Sequence, residues 1–445
     1  MRGRSTALRV AATASTLLIA ATGCTSSTHE ASSRAPSTAS PSGTAVLTCA
    51  QADRNLVGAV QRYVDAYGSP LSTAAASPSS SGSAAPSPSA SATTGPSSEA
   101  AAALRTAVEA AQRAISAKAC ELAQFRQSLE SDLSAVAARG PVAKAVLMRL
   151  TASITGTAQQ AVTTISLKPG DDLARRIADL APGSTVELAA GTYSLDASLA
   201  LLDGITVHGA GREQTVIQTT AADAALLVLT DARVELSDLT VLHTGAAVGD
   251  LVVGGPTSLL VLNRVRISGA VAAKDQGGNG VLMSARASAA TVGATTLEST
   301  DSIFDHNAAA GVSLSSGHVA SIQQGRFDTN DNCGICFAGD STGAVRGSVF
   351  VNDRVGVAVL DHAEPAVQND TFEGGLFAIQ AGGDATPVIT GAAVSGATRA
   401  AMIFADRSAG SVDGSRCDKV PYGIVVSAAA LPLLGTNTCQ VARSQ

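Results

Sequence analysis

The feature that most constrains this chain is a period. Phe304, Phe327, Phe350, Phe372, Val394, Cys417 and Cys439 follow one another at intervals of 23, 23, 22, 22, 23 and 22 residues. A small-residue column, Gly311, Gly334, Gly356, Ala378, Ala400 and Gly423, keeps the same rhythm at 23, 22, 22, 22 and 23. Asn307, Asn330 and Asn352 each stand four residues before one of these glycines, and Pro365, Pro387 and Pro432 nine residues after theirs. Four columns sharing one period require that the backbone close one circuit per repeat.

A circuit of this length, built of short β-like segments with no helical pattern, makes one coil of a solenoid. Successive coils then lie about 4.8 Å apart, the spacing of paired strands. Equivalent residues form ladders: the phenylalanines fill the interior, the asparagines satisfy backbone groups at a tight turn, and the glycines supply turn conformations with positive φ. One coil alone buries almost nothing, so stability comes from its neighbours. Composition agrees, with 3% aromatic residues, no Trp and only 15% charged residues. Such a chain packs small and β-branched side chains in layers and lacks the rings for a conventional core. Leucine-rich repeats, the main rival solenoid, are excluded by the missing leucine consensus. From about residue 184 to 440 the period gives roughly ten or eleven coils.

The solenoid opens at Leu173, Ile177 and Leu180, a short amphipathic helix, followed by Pro182-Gly183 and the strand-like segments 183–188, Gly191-Thr192-Tyr193 and 205–209. This opening resembles that of the pectin-lyase-like superfamily. The resemblance implies a mainly β fold, a right-handed parallel β-helix over residues 163–440, with the helix covering the first coil. A cover is needed because an end coil offers unpaired backbone groups to any passing strand. The superfamily includes polysaccharide lyases, hydrolases and epimerases as well as non-catalytic adhesins and tailspikes, so the fold alone assigns no reaction. The polygalacturonase pattern is absent apart from Gly317-His318-Val319, and the calcium-carboxylate and Trp-containing signatures of pectate lyases are missing.

Residues 1–162 read differently. Arg2 and Arg4 precede an apolar run, Val10 to Ala21, too short to span a bilayer and ending in small residues, as in a secretory signal over 1–23. Ala21-Thr22-Gly23-Cys24 resembles the lipobox of bacterial lipoprotein precursors, although Ala21 stands where that family prefers Leu. The resemblance implies acylation of Cys24, anchoring to the outer face of the cell membrane, and an extracytoplasmic protein. Residues 24–44, rich in Ser, Thr, Ala and Pro, read as a flexible tether, and residues 69–98 as a disordered loop. That loop interrupts a helical region over 45–162. Leu56, Val60, Tyr63 and Tyr67 share one helical face, a longer periodic run goes from Leu104 to Val136, and Val142, Val146, Leu150 and Ile154 form a third face after Gly140-Pro141. The expectation is a small antiparallel bundle of three elements with no chemistry of its own.

Six cysteines remain beside Cys24, in a location where disulfides persist. Cys417 and Cys439 share a column and fall within bridging range. Cys49 and Cys120, the pair in the helical region, are expected to tie its first two helices together. Cys333-Gly334-Ile335-Cys336 is a CxxC motif, for which a redox or metal role competes with a local disulfide at a coil corner or two thiols; the bland reading is favoured because the thioredoxin context is absent. No ligand set completes a zinc site, and no cofactor motif is found. Gly277 to Gly280 and Gly209-Ala210-Gly211 precede no helix and read as turns. The net charge of −6 and the lack of a basic stretch argue against nucleic acid.

One polar column could carry chemistry. Asp340, His362, Asp384 and Asp406 are each 22 residues apart, with Asp361 beside His362. Stacking would bring Asp340, His362 and Asp384 within about 5 Å of one another, near the reach of acid/base catalysis; a plain solvated turn is the competing reading. A second acidic column, Asp305, Asp328, Glu373 and Asp418, reads as surface. Residues 268–279 look like an enlarged loop, since Gly280 to Gly311 spans 31 residues. The favoured function is a lipid-anchored envelope β-helix that binds glycan or protein without turnover, and the alternative is a surface polysaccharide-processing enzyme.

Overall fold

In the computed structural model the described residues are 47–68, 98–117, 120–137, 147, 150 and 161–443, apart from 202, 229–231, 256–257, 275, 284–295 and 316. Cys24, the signal and tether segments, the loop 69–97 and most of the third helical face, including Gly140-Pro141, lie outside them.

Residues 164–443 wind into three parallel sheets, and the chain visits each sheet once per coil. Among the described residues the first sheet has twelve strands, from Thr164–Leu167 to Leu433–Leu434. The second has ten, from Gly191–Leu195 to Arg416–Asp418, and the third eleven, from Leu199–Leu201 to Val441–Arg443. Strand-to-strand pairing is parallel throughout these sheets, as a coil stacked on a coil demands.

The phenylalanine column is a ladder. Phe304, Phe327, Phe350 and Phe372 occupy one register position in the second sheet. Their rings stack at centroid distances of 4.9, 4.7 and 4.7 Å, within 10° of parallel. Each is buried, and a buried ring of this size contributes about 2–3 kcal/mol by area alone. Val394 and Cys417 continue the column where rings stop.

The glycine column serves this stack and the close approach of the next coil, whose carbonyl oxygens would lie 2.7, 2.8 and 2.6 Å from a Cβ on Gly311, Gly334 and Gly356, and not a turn. A Cβ on Gly311 would lie 3.0 Å from Phe327 Cδ1, one on Gly334 2.7 Å from Phe350 Cδ1, and one on Gly356 2.5 Å from Phe372 Cδ1. Glycine gives way to Ala378 where the facing ring gives way to Val394. The register also corrects the column: Phe377 pairs with Ala400 and Ile379 with Met402, so Ala401, not Ala400, follows Ala378. One extra residue has been taken into the corner between Ser395 and Ala400.

Left-handed residues mark all three corners. His306, Thr329 and Asn352 have φ of 54°, 58° and 55° after the second sheet; Gln324 and Asn369 (54° and 57°) follow the first, and Asp361 and Asp406 (61° and 55°) the third. Asn352 therefore belongs to the left-handed column, and the third rung of the asparagine ladder is Asp353. Asn307 N and Nδ2 donate to Asn330 Oδ1 at 3.2 and 2.9 Å; Asn330 N and Nδ2 donate to Asp353 Oδ1 at 2.9 and 2.7 Å. These amides satisfy corner N–H groups that have no strand partner. A parallel ladder after the first sheet uses Ser348 and Asp370, whose Oδ1 accepts from Ser348 N at 2.7 Å.

The N-terminal coil is covered as expected. Asp172 caps the helix Leu173–Ala178 by accepting from Arg175 N, and Leu173 and Ile177 join the solenoid core. Tyr193 lies inside the first coil and donates its hydroxyl to Leu167 O at 2.8 Å.

Among its described residues the helical region holds helix α1 (Cys49–Gly68), helix α2 (Ser98–Ser116) and helix α3 (Leu122–Ala137). The run from Leu104 to Val136 is thus two helices, broken beside Cys120, whose disulfide to Cys49 ties the break to α1. Leu56, Val60, Ala111, Phe125, Leu129 and Leu133 form one buried cluster with Ala224, Leu227, Val253 and Leu282 of the third sheet. Leu227, Val253 and Leu282 share one register position, and their strand neighbours Leu226, Val252 and Val281 point into the solenoid. Alternation along a strand sends the first set outward. The bundle is therefore seated on the outer face of the third sheet.

Residues 268–279 do form an enlarged corner, closed by a small antiparallel pair, Ala272–Ala273 with Gln276–Gly277. The excess between Gly280 and Gly311 falls elsewhere, between Met283 and Leu297, because Val281 already pairs with Val312.

Candidate functional site

The polar column sits on the corner after the third sheet, where two-residue turns stack. Each turn has a left-handed first residue, Gly339, Asp361, Gly383 or Asp406, and a second residue pointing outward. Backbone bonds fix the register: His362 N donates to Gly339 O, Asp384 N to Asp361 O and Arg407 N to Gly383 O. The outward row is therefore Asp340, His362, Asp384 and Arg407. Asp406 is not its fourth member, because the extra residue taken in near Ser395 shifts that coil by one. Asp406 and Asp361 instead face back along the solenoid, accepting from Gly383 N and Gly339 N at 3.0 Å each.

The structure brings Asp340, His362 and Asp384 together. His362 Nδ1 lies 3.9 Å from Asp340 Oδ1 and its Nε2 3.8 Å from Asp384 Oδ2, too far for hydrogen bonds but close enough for attraction if the ring is protonated. Asp384 is committed elsewhere: Arg407 grips it through two bonds, Nε to Oδ1 at 2.7 Å and Nη2 to Oδ2 at 2.5 Å. The hydrogen bonds from Arg407 hold the Asp384 carboxyl below the usual carboxylate range. The Asp340 and His362 side chains are 79% and 68% exposed, so water screens the row.

A more enclosed set lies on the outer face of the second sheet. Asp305, 7% exposed at its side chain, is held by Arg266 through bonds of 3.0 and 2.6 Å, and His306 Nδ1 stands 3.0 Å from its Oδ2. Burial pushes this carboxyl up, and the hydrogen bonds from Arg266 and His306 outweigh it and hold it low. Asp305, Asp328, Glu373 and Asp418 do share one register position, interrupted by Val351 and Ser395. On the same face Arg326 holds Asp328.

Sequence reasoning missed Arg407, Arg266 and Asp353. The 23-residue step from Val394 to Cys417 was the signal that would have placed Arg407 above Asp384. Asp353 is 3% exposed, with Oδ2 unpartnered, at the edge of a small cavity lined by Phe350, Asn352, Phe372, Glu373 and Phe377. Burial pushes the Asp353 carboxyl up to about 7 against the hydrogen bonds from Asn330, and burial does the same to Asp370. Among the described residues no group of three or more His, Cys, Asp or Glu side chains is arranged to hold a metal ion.

The right handed beta helix region family matches residues 292–441. No curated protein matches the chain. Among solved structures, the chain is similar to the Azotobacter vinelandii mannuronan C-5 epimerase AlgE6 A-module, at 14% identity over 59% of this chain and 87% of that one, with a TM-score of 0.35. It is also similar to the catalytic unit of a GH87 alpha-1,3-glucanase from Streptomyces thermodiastaticus, at 14% identity over 65% and 70% of the two chains, with a TM-score of 0.37. An alginate lyase from Paenibacillus sp. matches at 13% identity over 61% of this chain and all of that one, with a TM-score of 0.34. Likenesses this distant carry no reaction across. Strand register and the family match together identify residues 164–443 as a right-handed parallel β-helix.

Proposed function

We propose that this chain is exported, acylated on Cys24 and held at the outer face of the cell membrane, where its β-helix presents a rigid surface that binds glycan or envelope protein without turning it over. The observation that carries the non-catalytic reading is the pairing of Asp384 with Arg407 on an open corner. A general acid must hold a proton near neutral pH, and a carboxylate gripped by a guanidinium in water does not. Asp340 and His362, more open still, have no enclosing wall to exclude water from a reacting bond. The row suits recognition of a polar, hydroxyl-rich or charged ligand.

A polysaccharide-processing enzyme is the second reading, with Asp340, His362 and Asp384 as its candidate catalytic residues. One observation favours it: Arg266, Asp305 and His306 set a guanidinium, a carboxylate and an imidazole side by side on a sheet face. The test incubates the purified full chain with a panel of acidic and neutral polysaccharides. Binding by calorimetry with no new reducing ends and no unsaturated-uronate absorbance is the expected result. Turnover that disappears in Asp340→Ala and His362→Ala, or in Asp305→Asn, would overturn it. For the anchor, labelling cells with a fatty-acid analogue should tag the protein and Cys24→Ser should release it. Equal labelling of that variant would exclude Cys24 as the acylated residue.

A further inference from the structure

The three disulfides differ in what they can do for the fold. Cys49–Cys120 and Cys417–Cys439 join residues 71 and 22 positions apart, so each removes much freedom from the unfolded chain. Cys333–Cys336 joins residues three apart, inside a strand already held by parallel pairing to the coils on either side. Its chain-entropy gain is the smallest of the three, and the strand it spans needs no staple. Nor does it lie at a corner, the place expected for a local structural bridge.

Its setting suits exchange chemistry. Cys333 is fully buried while Cys336 is partly exposed, so one sulfur is offered and the other held back. Both belong to an apolar cluster with Ala310, Val355, Ala358 and Phe377, separate from the main core. Beneath the motif lies a carboxyl: Asp353 Oδ2, buried and unpartnered, is 2.8 Å from the point where Gly334 would carry a Cβ. Asp353 and Phe377 line the same small cavity.

We propose that the Cys333–Cys336 disulfide is a thiol–disulfide exchange site that accepts two electrons from a dithiol partner, with Asp353 as the positioning residue that sets its pH response. A partner thiolate attacks Cys336 Sγ; the Sγ–Sγ bond breaks and its electron pair leaves on Cys333, which takes up a proton. The partner's second thiolate then attacks the partner's own sulfur in the mixed disulfide, and Cys336 leaves as a thiolate and is protonated. The partner departs as a disulfide, having lost the two electrons and two protons the protein gains. Cys336 and Phe377 are the partly exposed members of that cluster, and a partner meets the pair there. Asp353 bears on the leaving group through its charge: ionised, it opposes a thiolate on Cys333. The charged groups facing it are Arg326 and Asp328 on the preceding coil and Glu373 across the cavity.

The experiment exposes the folded full chain to graded dithiothreitol, quenches it with acid, alkylates the thiols and assigns them by peptide mass spectrometry. The expected result is reduction of Cys333–Cys336 at least tenfold faster than Cys49–Cys120 and Cys417–Cys439, with circular dichroism unchanged. With glutathione disulfide, Cys333→Ser should form a mixed disulfide through Cys336 at least tenfold faster than Cys336→Ser forms one through Cys333. Asp353→Asn, which continues the asparagine ladder and should fold, is expected to raise the reduction rate several-fold above pH 7 and leave it unchanged below pH 6. Reduction only together with the other two disulfides, only with loss of folded signal, or at equal rates in the two serine variants would overturn the exchange site. A pH profile in Asp353→Asn superimposable on the parent would remove Asp353 from it.

Discussion

Two buried carboxyls at the corners carry the clearest single-residue consequences. Asp353 and Asp370 are each pushed up to about 7 by burial, well above their unfolded value. A carboxyl raised in the folded state adds stability that is fully present below about pH 4 and is lost as pH rises through about 7. Chemical denaturation should therefore show the parent chain losing stability between pH 4 and 8. Asp353→Asn should flatten that slope and gain on the order of 1 kcal/mol at pH 8, because the amide supplies a donor where the acid must ionise. At the exposed row, Arg407→Ala should return the Asp384 titration, followed by NMR, to the ordinary carboxylate range. Of these residues only Asp384 was legible in the sequence. Burial of Asp353 was not, because Asn352 stood at the expected interval, and a corner residue's facing depends on a φ sign that spacing does not reveal.

Between neighbouring coils, the glycine and phenylalanine columns act as one device. Gly334→Ala should cost about 1–3 kcal/mol by forcing the new methyl against Phe350, and Phe350→Ala about 3–5 kcal/mol through the cavity left in the stack. The pairing has a sharper test, since the chain already contains the alternative in Ala378 facing Val394. The double variant Gly356→Ala with Phe372→Val should be more stable than the sum of its parts predicts, by about 1 kcal/mol or more in a double-mutant cycle. Additivity of the two changes would show that ring and glycine do not depend on each other. The period made these columns visible from sequence; their cause was not, since a glycine kept for clearance and one kept for a left-handed turn look alike in a list of intervals. The break between α2 and α3 was hidden for a related reason, because apolar residues resume the same spacing on both sides of Cys120.

The molecule as a whole joins two kinds of order. The solenoid is quasi-one-dimensional, each coil stabilised by its neighbours, while the helices are held to one another by a disulfide and to the sheet by Leu227, Val253 and Leu282. Leu227→Asp with Leu282→Asp should free the bundle: amide exchange in α1 to α3 should rise at least tenfold while the Phe-stack coils stay protected. Uniform loss of protection would mean that bundle and solenoid unfold as one. Sequence placed both parts and left their contact unread, since outward Leu and Val on a strand buried on both faces are indistinguishable from core. The single residue taken in between Ser395 and Ala400 has a wider meaning. The corner absorbs it whole, so the buried strand and the exposed turn beyond it keep register together, Ile379 against Met402 and Asp384 against Arg407. A parallel solenoid can thus lengthen or shorten one coil at a corner while the coils on either side stay aligned, inside and out.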